Sequence, residues 1–240
     1  MKQIRIGNVK IDNLCAAEAV DFALDDSHAP CFVVTPNAVM LEKCRHDPTL
    51  VALLNRATLS LADGVGVVRA ARRIGTPLVG RVAGIEFGEA LLFRAEQEGL
   101  RVFLLGGEDG IAARAAERLQ KKHPALCICG TYWGYFEEGG EEECRLISAL
   151  RQTRPDLLFV CMGFPLQEQW ISANLDRLSE LRVIAGLGGS LDVWAGKVRR
   201  APRLFSRMGL EWAWRMAHEP KKRLSQLPLL VRFSLFGHRG

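Results

Sequence analysis

The sequence predicts an α/β protein with a mostly parallel, doubly wound sheet, helices on both faces and a basic helical C-terminal appendage. Short apolar runs alternate with helical segments as far as residue 190, and several runs end in loops that contain glycine. Such alternation is typical of parallel strands joined by right-handed crossovers. With 240 residues, 48% of them hydrophobic, the chain can bury one large core.

The predicted strands begin with a hairpin at the N-terminus. Its sequence IRIGNVKI (4–11) alternates apolar and polar residues, which is the pattern of a half-exposed hairpin. The later runs are short, mostly apolar and rich in β-type residues, as buried strands are. They are CFVV (31–34), LSLA (59–62), RVFLLGG (101–107), LCICG (126–130), DLLFVCMG (156–163) and LRVIAGLGGS (181–190).

Helices are predicted between these strands. Asn13 is placed to cap the first helix, and Asp47 is placed to cap another that has Pro48 at its first position. The helical segments are 16–24, two pieces broken near 47–48, 66–75, 85–99, 111–122, 141–152 and 167–178.

A change in charge divides the chain into two predicted parts. Residues 197–240 carry eleven Lys and Arg against two acids, so this segment is +9 and residues 1–196 are −4. We therefore predict a catalytic α/β domain over 1–196 and a basic appendage over 197–240. The appendage interleaves its cations with Trp and Phe, which suits an anionic membrane surface or nucleic acid. An ordinary solvated helix face is the alternative.

The sequence lacks the motifs that are typical of several functional classes. The seven cysteines and five histidines are scattered without zinc spacing, and there is no DxD motif, so no metal or other cofactor is expected. GGEDG (106–110) lacks the lysine of a Walker loop, and the dinucleotide fingerprint is missing. The charged N-terminus is unlike a secretory signal, and no apolar run is long enough to span a membrane. These features predict a cytosolic protein with reduced thiols.

The stretch LSLADGVG (59–66) contains the best catalytic candidate. Asp63 follows an apolar strand at the edge where parallel α/β sheets bind ligands. There it fits a general base that faces a pocket. It equally fits an N-cap for the helix that follows, and the residues alone leave both interpretations open.

Seven motifs, taken together and in order, resemble the WecG/TagA/CpsF family of glycosyltransferases over nearly the whole chain. They are TPNA (35–38), ADGVGVV (62–68), RVAGIEF (81–87), LLGG (104–107), MGFPLQEQW (162–170), GLGGSLDVWAGKVRRAP (186–202) and GLEWAWRMAHEPKKR (209–223).

The resemblance implies a Rossmann-like domain that is an inverting, metal-independent glycosyltransferase. Members similar to TagA move N-acetylmannosamine from UDP-N-acetylmannosamine to N-acetylglucosamine on undecaprenyl diphosphate. The product is a linkage disaccharide for wall teichoic acid or a related surface polymer. The resemblance also implies a cytoplasmic protein whose appendage meets the inner face of the cell membrane.

The resemblance implies roles for individual residues, which stay predictions of this section. Asp63 matches the proposed base, and Thr35 and Asn37 line the sugars beside it. Arg81 is a ligand for phosphate or a sugar hydroxyl, and Glu86 departs from the aspartate expected at its position. The residues implied for UDP are Gly106, Gly107, Gln167, Gly189 and Asp192, with Tyr132 or Tyr135 stacking on uracil. Those implied for the acceptor diphosphate are Arg215, Lys222 and Arg223.

Other functions stay open at this point. A different donor, such as UDP-N-acetylmannosaminuronic acid or UDP-glucose, fits the same motifs. A nucleotide-dependent oxidoreductase and a nucleic-acid-binding module are further alternatives, although the glycine fingerprint is absent and we expect no nucleic-acid partner. The oligomeric state is open as well, since an appendage that keeps apolar residues for a membrane can self-associate in solution.

Overall fold

A computed structural model describes residues 2–202, 205, 214 and 224–236. An antiparallel hairpin precedes one sheet of six parallel strands, whose order across the sheet is β4-β3-β8-β7-β5-β6. The strands are β1 (Gln3–Ile6), β2 (Val9–Asp12), β3 (Cys31–Val34), β4 (Leu59–Ser60), β5 (Arg101–Gly106), β6 (Cys127–Tyr132), β7 (Leu157–Cys161) and β8 (Val183–Gly186).

Helices lie on both faces of the parallel sheet. Those described are α1 (Ala16–Leu24), α2 (Ala38–Cys44), α3 (Pro48–Asn55), α4 (Val65–Arg73), α5 (Gly84–Glu98), α6 (Ile111–Lys122), α7 (Glu141–Thr153), α8 (Leu166–Asn174), α9 (Ser190–Trp194) and α10 (Leu227–Phe236). Short 3₁₀ helices cover Asp26–His28, Leu175–Leu178 and Leu224–Gln226.

Alternate strand residues supply two cores, one on each face. On one face Val33 and Phe159 pack among residues of α1, α5, α6 and α9. On the other face Phe32 and Val160 pack with α2, α3, α4, α7, α8 and the hairpin. Successive side chains of a strand point to opposite faces, so apolar runs without alternation become strands that are covered on both sides.

The predicted fold class is confirmed, with local corrections. The strand at 31–34 and the helix at 111–122 have the predicted bounds, and Asp47 Oδ1 caps α3 by accepting from Thr49 N and Leu50 N. The predicted cap of α1 is wrong. Cys15 is its N-cap, while Asn13 Oδ1 accepts the Val79 N–H at 2.6 Å, so the amide is used between two loops.

Helix α10, which belongs to the predicted appendage, packs on the α/β domain. Phe233 is 4% exposed and lies in the core with α2 and α4. Arg232 Nε is 3.4 Å from Glu42 Oε1, and Arg73 Nη1 donates to Ser234 O at 2.5 Å. The boundary near residue 197 stays a prediction. Each helix in the described ranges is too short or too polar to cross a bilayer.

Gly106 ends β5 at a point where only glycine fits. Its φ is +135°, and a Cβ there would lie 2.4 Å from the backbone oxygen of Cys161 on β7. We expect Gly106→Ala to lower the free energy of unfolding by about 3 kcal/mol or more, because backbone strain and a clash with fixed backbone act together. Urea unfolding measures this. Gly80→Ala is the control, since nothing lies within 4 Å of a Cβ there, and equal losses in both variants would contradict the prediction.

Candidate functional site

The carboxyl ends of the six parallel strands form one edge of the sheet, called here the carboxyl edge. The order of the strands places the loop after β4 beside the loop after β3, then those after β8, β7, β5 and β6. Adjacent strands are about 4.8 Å apart, so these loops lie side by side. They contain most of the residues singled out from the sequence.

Asp63 lies half-buried at this edge, two residues before α4 begins. Its backbone N–H donates to Pro36 O at 3.0 Å, which joins the loops after β4 and β3. The N-cap position of α4 is occupied by Gly64, with φ of 100°, and Asp63 precedes it. The role of the Asp63 carboxylate as a base stays a prediction.

Thr35 and Asn37 flank Pro36 and so stand next to Asp63. Thr35 is 7% exposed, and its Oγ1 donates to Gly186 O at 3.3 Å across the gap between β3 and β8. Asn37 Oδ1 caps α2 by accepting from the N–H groups of residues 39 and 40. Both side chains thus fix the loop against which Asp63 is held.

Arg81 enters the same region from the segment before α5. The loop that follows it is tied to the Asp63 loop, because Val82 N donates to Ala62 O at 3.0 Å. Arg81 Nη2 is 2.9 Å from Glu86 Oε1, and Arg200 Nη2 is 3.6 Å from the same oxygen. Glu86, the departure noted in the sequence, therefore holds two guanidinium groups near the edge.

The glycine loops continue the carboxyl edge toward β6. Gly107 N–H donates to Cys161 O at 3.3 Å, and Gly107 O accepts from Gly134 N at 2.9 Å, which connects the loops after β5, β7 and β6. Gly189 is exposed at the N-cap of α9. Exposed backbone at helix starts and glycine turns is suited to bind phosphate.

Asp192 lies in the first turn of α9 and takes part in a charged cluster at the same edge. Lys197 Nζ is 2.8 Å from Glu108 Oε1 and 3.8 Å from Asp192 Oδ1. These contacts, together with Tyr135, raise the pKa of Lys197, with the Glu108 hydrogen bond as the largest cause. Lys197 therefore links the loop after β5 to helix α9 through ion pairs.

One of the two tyrosines considered for stacking on uracil, Tyr132, makes its contacts within the protein. Tyr132 OH donates to Glu142 O at 3.1 Å, and its ring packs edge-on against Phe136. Tyr135 is 67% exposed.

Gln167 is 3% exposed, and its side chain binds the protein's own backbone. Its Oε1 accepts from Gly163 N at 3.2 Å and from Gly188 N at 3.0 Å, so one amide joins the loops after β7 and β8. Its Nε2 donates to Glu168 Oε1 at 2.8 Å. Sequence reasoning missed Glu168, because a Gln-Glu pair at a helix start looks like a solvated face.

Two fully or nearly buried glutamates have opposite pKa shifts. Burial raises the pKa of Glu168 from 4.5 to about 7, although hydrogen bonds from Gln167 and its own backbone oppose this. Burial also raises the pKa of Glu143, but hydrogen bonds from Gly139 N, Asn174 and Trp170 outweigh it, so that pKa lies below the ordinary value.

These shifts predict how stability depends on pH. Between about pH 4.5 and 7 the folded chain keeps the Glu168 proton that the unfolded chain releases, so the free energy of unfolding falls as pH rises. Across this pH window the free energy of unfolding of the wild type should fall by on the order of 3 kcal/mol relative to that of Glu168→Gln. Glu143→Gln is the matched comparison, because the Glu143 contribution is instead lost as pH falls below 4.5. Urea titrations from pH 4 to 8 check this, and parallel curves for wild type and Glu168→Gln would contradict it.

The three residues predicted for the acceptor diphosphate, Arg215, Lys222 and Arg223, lie outside the described residues. Within the described part of the chain, no three His, Cys, Asp or Glu side chains are grouped to hold a metal ion. Burial raises the pKa of the Cys31, Cys44 and Cys161 thiols to about 12, so these remain protonated and unreactive.

Comparison with known proteins gives a consistent result. A family model described as "Glycosyl transferase WecG/TagA/CpsF family" matches residues 4–238. A Staphylococcus aureus (strain MRSA252) relative is 32% identical over 235 residues, which cover 95% of this chain and 91% of the relative. It is named N-acetylglucosaminyldiphosphoundecaprenol N-acetyl-beta-D-mannosaminyltransferase. Relatives from strains MW2 and NCTC 8325 / PS 47 have the same name, identity and coverage.

Proposed function

The chain belongs to the WecG/TagA/CpsF family of glycosyltransferases, and we propose that it transfers N-acetylmannosamine from UDP-N-acetylmannosamine to N-acetylglucosaminyl-diphosphoundecaprenol. The product is the linkage disaccharide of wall teichoic acid or a related surface polymer. The observation that carries this proposal is the shared name of relatives that align over 95% of the chain.

Asp63 is the general base of the proposed reaction. Its carboxylate takes the proton of an acceptor hydroxyl, and that oxygen attacks the anomeric carbon of the donor. The new glycosidic bond forms as the bond between that carbon and the UDP oxygen breaks, with inversion. The position of Asp63 at the carboxyl edge, outside the cap of α4, supports this role. Thr35 and Asn37 hold the adjacent loop and thereby position the sugars.

The sugar nucleotide is proposed to lie along the glycine loops of the carboxyl edge. Gly106, Gly107 and Gly189 allow the diphosphate to approach backbone N–H groups, and Asp192 and Gln167 fix the loops around it. Arg81 contributes a guanidinium for phosphate or a sugar hydroxyl. We assign uracil stacking to Tyr135, since its ring is exposed while the hydroxyl of Tyr132 is engaged. The reaction needs no metal or other cofactor in this proposal.

The enzyme is proposed to act at the inner face of the cytoplasmic membrane, where the diphosphate of a polyprenyl acceptor lies. Helix α10 supports this with a stripe of exposed apolar side chains on the side opposite Phe233, and the exposed Arg73 of α4 contacts the same helix at Ser234 O. The stripe consists of Leu227, Val231 and Leu235, and the exposed Leu224 lies in the 3₁₀ helix that precedes it. Apolar side chains close to cations are typical of surfaces that bind anionic bilayers. Self-association in solution would cover the same stripe.

The test is UDP release by the purified full-length chain in the presence of EDTA. The donor is UDP-N-acetylmannosamine, and the acceptor is a short-chain lipid diphosphate that carries N-acetylglucosamine. We expect release that depends on the acceptor and continues in EDTA. Release with UDP-glucose but not with this donor would overturn the choice of sugar, and no release on liposomes with any UDP-sugar would overturn the proposed function.

A further inference from the structure

Gln167 acts as a clamp between two loops of the carboxyl edge. Its single amide oxygen accepts from both Gly163 N and Gly188 N, which belong to the loops after β7 and β8. Gly186 leaves room for this side chain, since a Cβ at that position would lie 2.8 Å from Gln167 Nε2. The relative position of the two loops therefore depends on which way the amide is turned.

Glu168 determines that orientation. Its Oε1 accepts from Gln167 Nε2 at 2.8 Å. Oε1 is the acceptor in this contact, so the NH₂ group faces it and the amide oxygen faces the two backbone N–H groups. A reversed amide would place NH₂ against those two N–H donors and lose both of their hydrogen bonds.

The placement of Glu168 is unfavourable for stability. The side chain is fully buried, and its Oε2 has no hydrogen-bond partner in the described part of the chain. Burying a carboxyl group with one unsatisfied oxygen costs folding free energy. A contact that is costly for folding and located at a binding edge is better explained by the geometry it fixes.

We propose that Glu168 is a positioning residue that acts through Gln167 to hold the loops after β7 and β8 in the arrangement that binds the sugar nucleotide. The substrate part of this inference rests on the function proposed above. The positioning part concerns the free protein and can be measured without substrate.

Two variants of the full-length chain separate geometry from charge. Glu168→Met keeps the length of the side chain but removes the acceptor, whereas Glu168→Gln keeps an acceptor oxygen for Gln167. Gln169→Met is the matched control, because that residue is exposed on the same helix. The readouts are amide hydrogen exchange at Gly163 and Gly188, Michaelis constants for UDP-N-acetylmannosamine and for the lipid acceptor, and unfolding at pH 8.

In Glu168→Met we expect exchange at both glycine amides to accelerate about tenfold or more, because the Gln167 amide that accepts from them loses the Glu168 contact that holds it in place. The KM for the sugar nucleotide should rise about 10- to 100-fold with no change in the KM for the acceptor, because only the donor loops are displaced. Stability at pH 8 should be equal to or above wild type. Glu168→Gln should restore exchange and KM to within about threefold of wild type.

Wild-type exchange at Gly163 and Gly188 in Glu168→Met would overturn the proposal, as would accelerated exchange in Glu168→Gln. Loss of stability and of activity together in Glu168→Met, with unchanged exchange, would indicate a structural role only. A wild-type protein that transfers no sugar would refute the proposed function, while the exchange measurements would still decide the positioning role.

Discussion

Asp63→Asn should fold normally and lower kcat for sugar transfer by about 10²–10⁴-fold, which is the usual contribution of a general base. Asparagine has nearly the same shape and keeps the backbone hydrogen bond to Pro36, but it cannot accept the hydroxyl proton. The measurement is the rate of UDP release at saturating donor and acceptor, together with thermal unfolding to confirm the fold.

The Asp63 experiment needs a control for the loss of one negative charge. Asp176→Asn serves, because Asp176 is exposed in the 3₁₀ helix after α8, away from the loops of the carboxyl edge. We expect wild-type turnover from this variant. A folded Asp63→Asn protein that turns over within about threefold of wild type would exclude Asp63 as the base, since that is far below the effect of a lost base.

The combined variant Leu227→Gln, Val231→Gln, Leu235→Gln should reduce binding to anionic vesicles at least about 100-fold. Full burial of one apolar side chain contributes about 1.5–3 kcal/mol. A loss of vesicle binding of about 100-fold requires less free energy than three such side chains contribute, even when each is only partly inserted. Glutamine keeps the net charge and the helical tendency, and all three positions point away from Phe233. Vesicle co-sedimentation with phosphatidylglycerol liposomes measures the effect.

The matched control for the vesicle experiment is Phe93→Gln. Phe93 is 51% exposed on α5, which packs on the opposite face of the sheet from α10. We expect its vesicle binding to equal that of wild type. Unchanged binding by the triple variant would exclude the α10 stripe as the docking surface. Point variants are preferable to deletion of the appendage, because deletion would also uncover the core surface that Phe233 fills.

The order and type of the elements followed from the sequence because strand and helix periodicities are local. The limits of this approach are visible in particular residues. LSLA reads as a four-residue strand, but β4 is Leu59–Ser60, since pairing ends where the neighbouring strand β3 ends. Asn13 resembles a helix cap by position, yet a distant loop at Val79 uses its side chain. Contacts of this kind depend on tertiary packing, which periodicity does not report.

The sequence predicted site residues that directly follow an apolar strand. It did not predict residues whose role depends on being buried in the folded chain. Asp63 is a candidate because it follows an apolar run, but the sequence alone does not show that Gly64 occupies the N-cap position of α4. Glu168 gave no signal, because a charged residue in the first turn of a helix is usually exposed. Glu42 is similar: it is 1% exposed, with Arg232 3.4 Å away on α10, which is remote in sequence.

The contact between Phe233 and Gly66 has a geometric consequence. Gly66 lies three residues after Asp63, and a Cβ there would lie 3.2 Å from Ala38 Cβ at the start of α2 and 3.8 Å from the Phe233 ring. A helix with its side chains is about 10–12 Å across. If the outer stripe of α10 rests on a bilayer, residue 66, three residues after Asp63, is held roughly one helix diameter above the lipid surface. With Asp63 as the proposed base, we expect such a height to favour acceptors whose sugar is attached directly to the membrane diphosphate over the ends of longer chains.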